Sequence, residues 1–190
     1  MSEKSCTFAA NMNRLQQSWV WMSRIGHCRG FGIQSPDDYR FVRYVVNEHW
    51  PYHAYDNLPT TNDWTERKLG RLYLRVANYM QPTVIVDLVG MASYFTAGCR
   101  HATVVSTIPT PQCFNEERVL IVTPANTTLK DILPLCSENT MLVVHQLWKM
   151  KKANSLLLAE QHVATFFDLF YCAIAFFCKR YERHHYIVNF

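Results

Sequence analysis

Histidines are the side chains of this sequence best suited to acid–base chemistry near neutral pH. His145 closes the apolar run 141–144, where an imidazole could act as a general base. The alternative is a structural role for His145, in which the imidazole forms hydrogen bonds with the local backbone. His184 and His185 form a candidate metal pair, but adjacent strand residues point to opposite faces of a sheet, which argues against shared ligation. We therefore predict no metal site.

The cysteines give no sign of a disulfide framework or a zinc site. There are seven, an odd number, with no Cys-x-x-Cys pair and no Cys/His spacing suited to zinc. They are typical of reduced thiols in an intracellular protein. The first thirteen residues lack the apolar stretch of a signal peptide, and the longest uncharged apolar run, 169–178, is shorter than the ~20 residues of a membrane helix. We expect a cytoplasmic protein with no membrane segment.

The composition is that of one folded domain. The 190 residues are 49% apolar and 14% aromatic, enough for a substantial core with a helical extension. The net charge of +4 includes two short basic clusters, at 149–152 and 179–183. These clusters indicate either an anionic partner or solvated ends of helices and strands. We favour solvated ends and predict no nucleic-acid binding.

Three helices are predicted before Pro82. Leu15, Trp19 and Met22 lie at spacings of four and three residues, as on one face of a helix. Ser35 is a suitable N-cap for a second helix, because proline follows it at the first helical position. The third helix ends before Pro82, which disfavours helical backbone in the preceding residue. The predicted helices span 8–24, 36–48 and 65–81.

Beyond Pro82 the pattern changes to short runs rich in β-branched residues, separated by helical segments. Near-continuous apolar strands of this kind predict a parallel sheet covered by helices on both faces. We interpret the last two apolar stretches as two long strands that form an antiparallel hairpin on this sheet. The predicted strands span 83–89, 102–108, 119–123, 141–144, 165–177 and 185–190, and the predicted helices between them span 91–101, 127–136 and 149–161.

Several stretches resemble a known family, and the likeness covers nearly the whole chain. The segment Arg29-Gly-Phe-Gly-Ile-Gln-Ser-Pro36 is similar to the Gly-x-His-Ser-Pro extension of a bacterial group of class I S-adenosylmethionine-dependent methyltransferase-like proteins, with Gln34 in place of the histidine. Residues 68–82 resemble the helix that leads into the first strand of that family, and 168–179 with 185–190 resemble its closing hairpin.

The resemblance implies a three-layer, Rossmann-like α/β fold. Its sheet would be mostly parallel, with a C-terminal antiparallel hairpin. Residues 1–64 would form an N-terminal helical extension, and residues 65–190 a degenerate methyltransferase-like domain. Only about nine residues link the predicted strands 102–108 and 119–123, whereas a helical crossover takes a dozen or more. We therefore expect the third strand of the family to be missing.

The resemblance also implies where the cofactor would lie. In the family an acidic residue and a glycine-rich turn follow the first strand and hold S-adenosylmethionine, and Asp87 and Gly90 match them here. His145 would be the catalytic base if the chain is active. Tyr94 adds bulk beside this turn. No carboxylate follows the second strand in 106–111, so the ribose hydroxyls would lack partners at a cost of about 1 to 3 kcal/mol each. We expect no bound cofactor.

Three functional hypotheses follow. The first is a methyltransferase-like pseudo-enzyme, a scaffold that forms a homo-oligomer or binds a protein partner at the sheet edge left by the missing strand. Its aromatic residues Trp19, Trp21, Phe31 and Tyr39 would pack on the domain or on that partner. The alternative is a divergent, active methyltransferase that binds S-adenosylmethionine. A pocket remodelled for another small molecule is the third hypothesis.

Overall fold

A seven-stranded sheet organises the chain. The structure, a computed structural model, describes residues 14–27, 30–110, 117–125, 128–149, 151–177 and 183–190. The strands are β1 (Val84–Asp87), β2 (Thr103–Val105), β3 (Val119–Pro124), β4 (Thr140–His145), β5 (Thr165–Asp168), β6 (Cys172–Phe176) and β7 (His184–Ile187). Their order in the sheet is β2-β1-β3-β4-β6-β5-β7. Six strands run in the same direction and β6 opposes them, which confirms the predicted α/β class with a mostly parallel sheet.

Helices cover both faces of the sheet. The α-helices are α1 (Arg14–Ser23), α2 (Pro36–Phe41), α3 (Trp64–Met80), α4 (Ala92–Gly98), α5 (Thr128–Ile132) and α6 (Lys151–Ala159). A π-helical turn, Val42–Val46, continues α2. Short 3₁₀ turns span Ile25–His27, His53–Asn57, Leu133–Leu135 and Leu147–Lys149. The predicted N-cap is confirmed, because Ser35 Oγ accepts the backbone N–H of Asp38 at 3.4 Å. Residues 8–13 of the first predicted helix lie outside the described residues.

Two hydrophobic cores separate the three layers. Ile85 and Leu120 point to the face covered by α2, α3 and α4, whereas their neighbours Val86 and Ile121 point to the face covered by α5 and α6. Successive strand residues alternate between faces, so each buried strand supplies both cores. The near-continuous apolar runs of the sequence reflect this double coverage.

Glycines bring α3 and α4 into close contact. A Cβ at Gly70 would collide with the ring of Tyr94, and a Cβ at Gly98 would collide with the carbonyl oxygen of Leu74. The two helices therefore approach more closely than larger side chains would permit. This contact holds α4 against α3 beside the carboxyl end of β1, where the resemblance placed the cofactor.

The predicted long strand 165–177 is wrong, because a turn divides it into β5 and β6. Asp168 Oδ1 accepts the N–H of Phe170 at 2.8 Å, and Phe170 has a positive φ of 67°. No glycine or proline marks this turn; a buried carboxylate closes it instead. The hairpin on the sheet is β5–β6, and β7 pairs in parallel with β5 rather than forming the predicted antiparallel partner.

β2 forms one edge of the sheet. Within the described ranges no strand lies beyond it, but residues 111–116 of the link to β3 fall outside them. The loss of the family's third strand therefore stays a prediction. The boundary between extension and domain at residue 64 also stays a prediction, although Phe41 and Val46 contribute to the same core as α3.

Candidate functional site

Asp87 lies at the carboxyl end of β1, as the sequence predicted, and its carboxylate is engaged by its own loop. Asp87 is buried, and its Oδ1 accepts the backbone N–H groups of Val89 and Gly90, each at 3.0 Å. Gly90 adopts a positive φ of 80°, which favours glycine at this turn. Together these contacts hold the loop between β1 and α4 in a tight turn.

His145 lies at the carboxyl end of β4 and has a side-chain partner that sequence reasoning missed. Its Nδ1 is 2.7 Å from the hydroxyl of Tyr73, a residue of α3. Tyr73 is fully buried and stacks on Phe95 of α4 at 4.9 Å between ring centroids. Burial raises the pKa of Tyr73, and the nearby Cys172 and Asp87 raise it further. A protonated phenol can donate to an unprotonated Nδ1, which would place the imidazole proton on Nε2.

The crevice at the carboxyl ends of β1, β3 and β4 is the place where open α/β sheets bind ligands. Here, aromatic side chains from α3 and α4 pack against this end of the sheet. Tyr73, Tyr94 and Phe95 are all buried, and the Tyr94 hydroxyl has no hydrogen-bond partner among the described residues. Only Tyr94 was singled out from the sequence, because Tyr73 and Phe95 fit the ordinary apolar periodicity of a core helix.

The structure separates the candidate metal pair, in line with the sequence argument. His184 Nδ1 lies 3.2 Å from Asp38 Oδ2, whereas the ring of His185 stacks on Phe166 at 4.9 Å, on the other face of the sheet. Within the described residues no group of three or more His, Cys, Asp or Glu side chains could hold a metal ion. Cys172 is buried, and this burial raises the pKa of its thiol. Cys178 lies outside the described residues.

The four aromatic residues of the N-terminal segment are only partly covered by the domain. Trp19 keeps 73% and Phe31 83% of its surface exposed, while Trp21 and Tyr39 are also exposed. The domain alone therefore does not bury these rings, and their packing against a partner stays a prediction.

Three cavities of the described structure lie away from the predicted cofactor residues. The largest, of about 1190 Å³, lies among α1, the start of α3 and the β5–β6 turn. Of the two smaller ones, the cavity of about 370 Å³ lies beside the second half of α3 and the cavity of about 220 Å³ beside its first half. Asp87, Gly90 and His145 line none of these three. The sequence carried no motif for the largest cavity, since its walls come from segments more than 160 residues apart.

In the described part of the chain, no helix is long and apolar enough to cross a membrane. The described residues form an α/β protein with a mostly parallel, seven-stranded mixed sheet. Comparisons with protein-family models, curated proteins and solved structures gave no match to this chain.

Proposed function

We propose that the protein is a methyltransferase-like pseudo-enzyme, a scaffold that does not transfer methyl groups. The observation that carries this proposal is the position of Tyr73, whose buried ring and hydroxyl bridge α3, α4 and His145 at the ligand-binding end of the sheet. A residue fixed on both sides by packing and hydrogen bonding leaves little space for an adenosyl group.

The state of Asp87 supports the same proposal. Its Oδ1 already accepts two backbone N–H groups, so this oxygen is committed to the loop. A cofactor group that displaced Oδ1 would leave two backbone N–H groups without their acceptor, so only the other oxygen, Oδ2, is open to a ligand. One of the two oxygens of the matching carboxylate is therefore used to stabilise the loop.

One observation favours the alternative, a divergent S-adenosylmethionine-dependent methyltransferase. No atom lies within 4 Å of the position that a Cβ would take at Gly90, so backbone and ligand could approach there. In that case Asp87 and Gly90 would hold the cofactor, and His145, oriented by Tyr73, would act as the base.

Calorimetry and thermal unfolding with S-adenosylmethionine and S-adenosylhomocysteine distinguish the two functions. A ligand at 100 times its dissociation constant stabilises a protein by about 2.7 kcal/mol. We expect no heat of binding and no shift at millimolar concentrations. A shift in the wild type that is lost in Asp87→Asn would show that the crevice binds the cofactor, which would overturn the argument from a closed crevice and favour the methyltransferase.

A scaffold needs a partner, and we propose that the partner is a second copy or another protein that pairs with the β2 edge. The backbone groups on the outer side of an edge strand are available for such pairing. Light scattering of the purified chain at several concentrations tests self-association. A strict monomer leaves only the heterologous partner.

A further inference from the structure

Two adjoining cavities flank the first turns of α3, well apart from the crevice at Asp87. The larger holds about 1190 Å³ and the smaller about 220 Å³. Four residues line both of them: Trp64, Arg67, Lys68 and Phe190. These four side chains therefore form a wall that the two spaces share.

The smaller cavity is lined by an excess of positive charge. Its cationic side chains are Arg67, Lys68, Arg71 and Arg75, and its one carboxylate is that of Glu48. Glu48 Oε1 accepts the N–H groups of His49 and Trp50, so it is held by its own loop rather than by a cation. In the described residues, neither Arg67 nor Lys68 forms an ion pair.

Arg75 is the one of these four cations that has a clear structural role. It is buried and donates to the carbonyl oxygens of Val45 and Val46, at 2.6 and 3.0 Å, at the end of the π-helical turn. It also donates to the Tyr55 hydroxyl at 2.8 Å. These acceptors are neutral, so the full positive charge of Arg75 acts on the cavity beside it.

An unpartnered hydrogen-bond donor lines the same cavity. Asn47 is only 9% exposed, and its Nδ2 is buried without a hydrogen-bond partner among the described residues. Buried donors in folded proteins are nearly always paired, and exceptions indicate a missing partner. The donor and the cations together favour a ligand that brings several acceptor oxygens and negative charge.

Lys68 occupies the junction of the two cavities inside a ring of aromatic side chains. Its Nζ lies 4.4 Å from the ring centroid of Phe190, 4.7 Å from that of Trp64 and 5.2 Å from that of Tyr171. Burial lowers the pKa of Lys68 to about 8, and the Arg75 charge adds to this effect. A bound anion would compensate a cation that the protein itself leaves partly desolvated.

The larger cavity has aromatic walls suited to a flat apolar body. Trp21, Trp64, Phe170 and Tyr171 line it. Its other cation, Arg24, is already neutralised by Asp168, at 3.0 Å between Nη2 and Oδ1. The carboxylate of Asp63 and neutral polar side chains also line this space, so it offers stacking on rings together with hydrogen bonding, whereas the excess of positive charge lies in the smaller cavity.

We propose that the two cavities form one binding site for a small organic anion, with a phosphate-like group among Asn47, Arg67 and Arg71 and an aromatic body between the rings of the larger cavity. Lys68 contacts both parts of the ligand. The site is independent of the methyltransferase-like crevice, so it stands whether or not the chain transfers methyl groups.

Calorimetric titration with 1-naphthyl phosphate tests this site, with inorganic phosphate and 1-naphthol as the two half-ligands. We expect one molecule of 1-naphthyl phosphate per chain, bound at least ten times more tightly than either half-ligand. Lys68→Met and Asn47→Leu should each weaken binding at least tenfold. Asn47→Leu removes a buried unpaired donor, so it should not lower the melting temperature.

The matched control is Lys130→Met, which removes an exposed lysine of α5 and should bind 1-naphthyl phosphate like the wild type. Circular dichroism of each variant verifies that it folds. The site is refuted by absence of 1-naphthyl phosphate binding at millimolar concentration, by equal affinity for phosphate alone, or by equal affinity of Lys68→Met and Lys130→Met.

Discussion

The hydroxyl of Tyr73 lies 2.7 Å from Nδ1 of His145 and joins the middle of α3 to the carboxyl end of β4. This contact gives the histidine a fixed orientation and places a buried ring at the end of the sheet where ligands of α/β proteins bind. The histidine that the sequence offers as a base is thus hydrogen-bonded to a fully buried tyrosine.

Substitutions of Tyr73 test how strongly this contact holds the end of the sheet. Tyr73→Phe removes only the hydroxyl and should lower the free energy of unfolding by about 1 kcal/mol, since His145 loses a partner. Tyr73→Ala should cost about 3 to 5 kcal/mol because it also leaves a cavity. Urea denaturation measures both, with the exposed Tyr44→Phe as the control. Wild-type stability of Tyr73→Phe would contradict the structural role.

The close approach of α3 and α4 predicts that two glycine-to-alanine substitutions differ in their effect on stability. Gly98→Ala should destabilise the protein by about 1 to 3 kcal/mol, because its Cβ meets the backbone oxygen of Leu74, which cannot move away. Gly26→Ala, with no atom within 4 Å of the new Cβ, is the matched control and should be nearly neutral. Thermal unfolding compares the two; equal stabilities would contradict the tight helix contact.

The ion pair of Arg24 and Asp168 links the segment after α1 to the end of β5. Both side chains are largely buried, and Asp168 Oδ2 also accepts Asn154 Nδ2 at 3.1 Å. Arg24→Met leaves a buried carboxylate without its cation and should cost about 3 to 5 kcal/mol. The exposed pair Arg40 and Asp37 gives the control, since Arg40→Met should change stability by less than about 1 kcal/mol. Equal effects in denaturant titrations would refute the linking role.

The lowered pKa of Lys68 predicts that the free energy of unfolding depends on pH. Its pKa is lowered from 10.5 to about 8 by burial, so between these values the unfolded chain holds a proton that the folded protein lacks. Stability contributed by this group therefore rises with pH across that window, by at most about 3 kcal/mol. The difference in unfolding free energy between the wild type and Lys68→Met, measured from pH 7 to 10.5, isolates this effect from other groups. A difference independent of pH would show that Lys68 is well solvated.

The main elements of the fold could be predicted from the sequence because local signals are strong there. Ser35 and Pro36 mark the start of α2, and Pro82 marks the end of α3, as observed. The β-branched runs around Ile85 and Leu120 form central strands. The turn at Phe170 could not be predicted, because it depends on a hydrogen bond from its own backbone to the Asp168 carboxylate inside an unbroken apolar run.

For the candidate site, the family resemblance and the predicted strand ends placed Asp87, Gly90 and His145 at the carboxyl end of the sheet. The partner of His145 is 72 positions away in the sequence, on a helix whose apolar spacing is typical of an ordinary core. The cavities beside α3 could not be predicted from the sequence either, because Phe190 and Trp64 meet around Lys68 only after the chain has folded.

The amino-acid sequence by itself determined the α/β class, the positions of most strands and the absence of a carboxylate after β2, because periodicity, capping and composition are local properties. The tertiary structure alone decided that the Tyr73 hydroxyl meets His145 at the carboxyl end of β4 and that four cations gather beside Asn47. Both depend on side-chain packing between segments that are distant in the sequence. The burial and the distances that set the interaction energies there cannot be read from the spacing of residues along the chain.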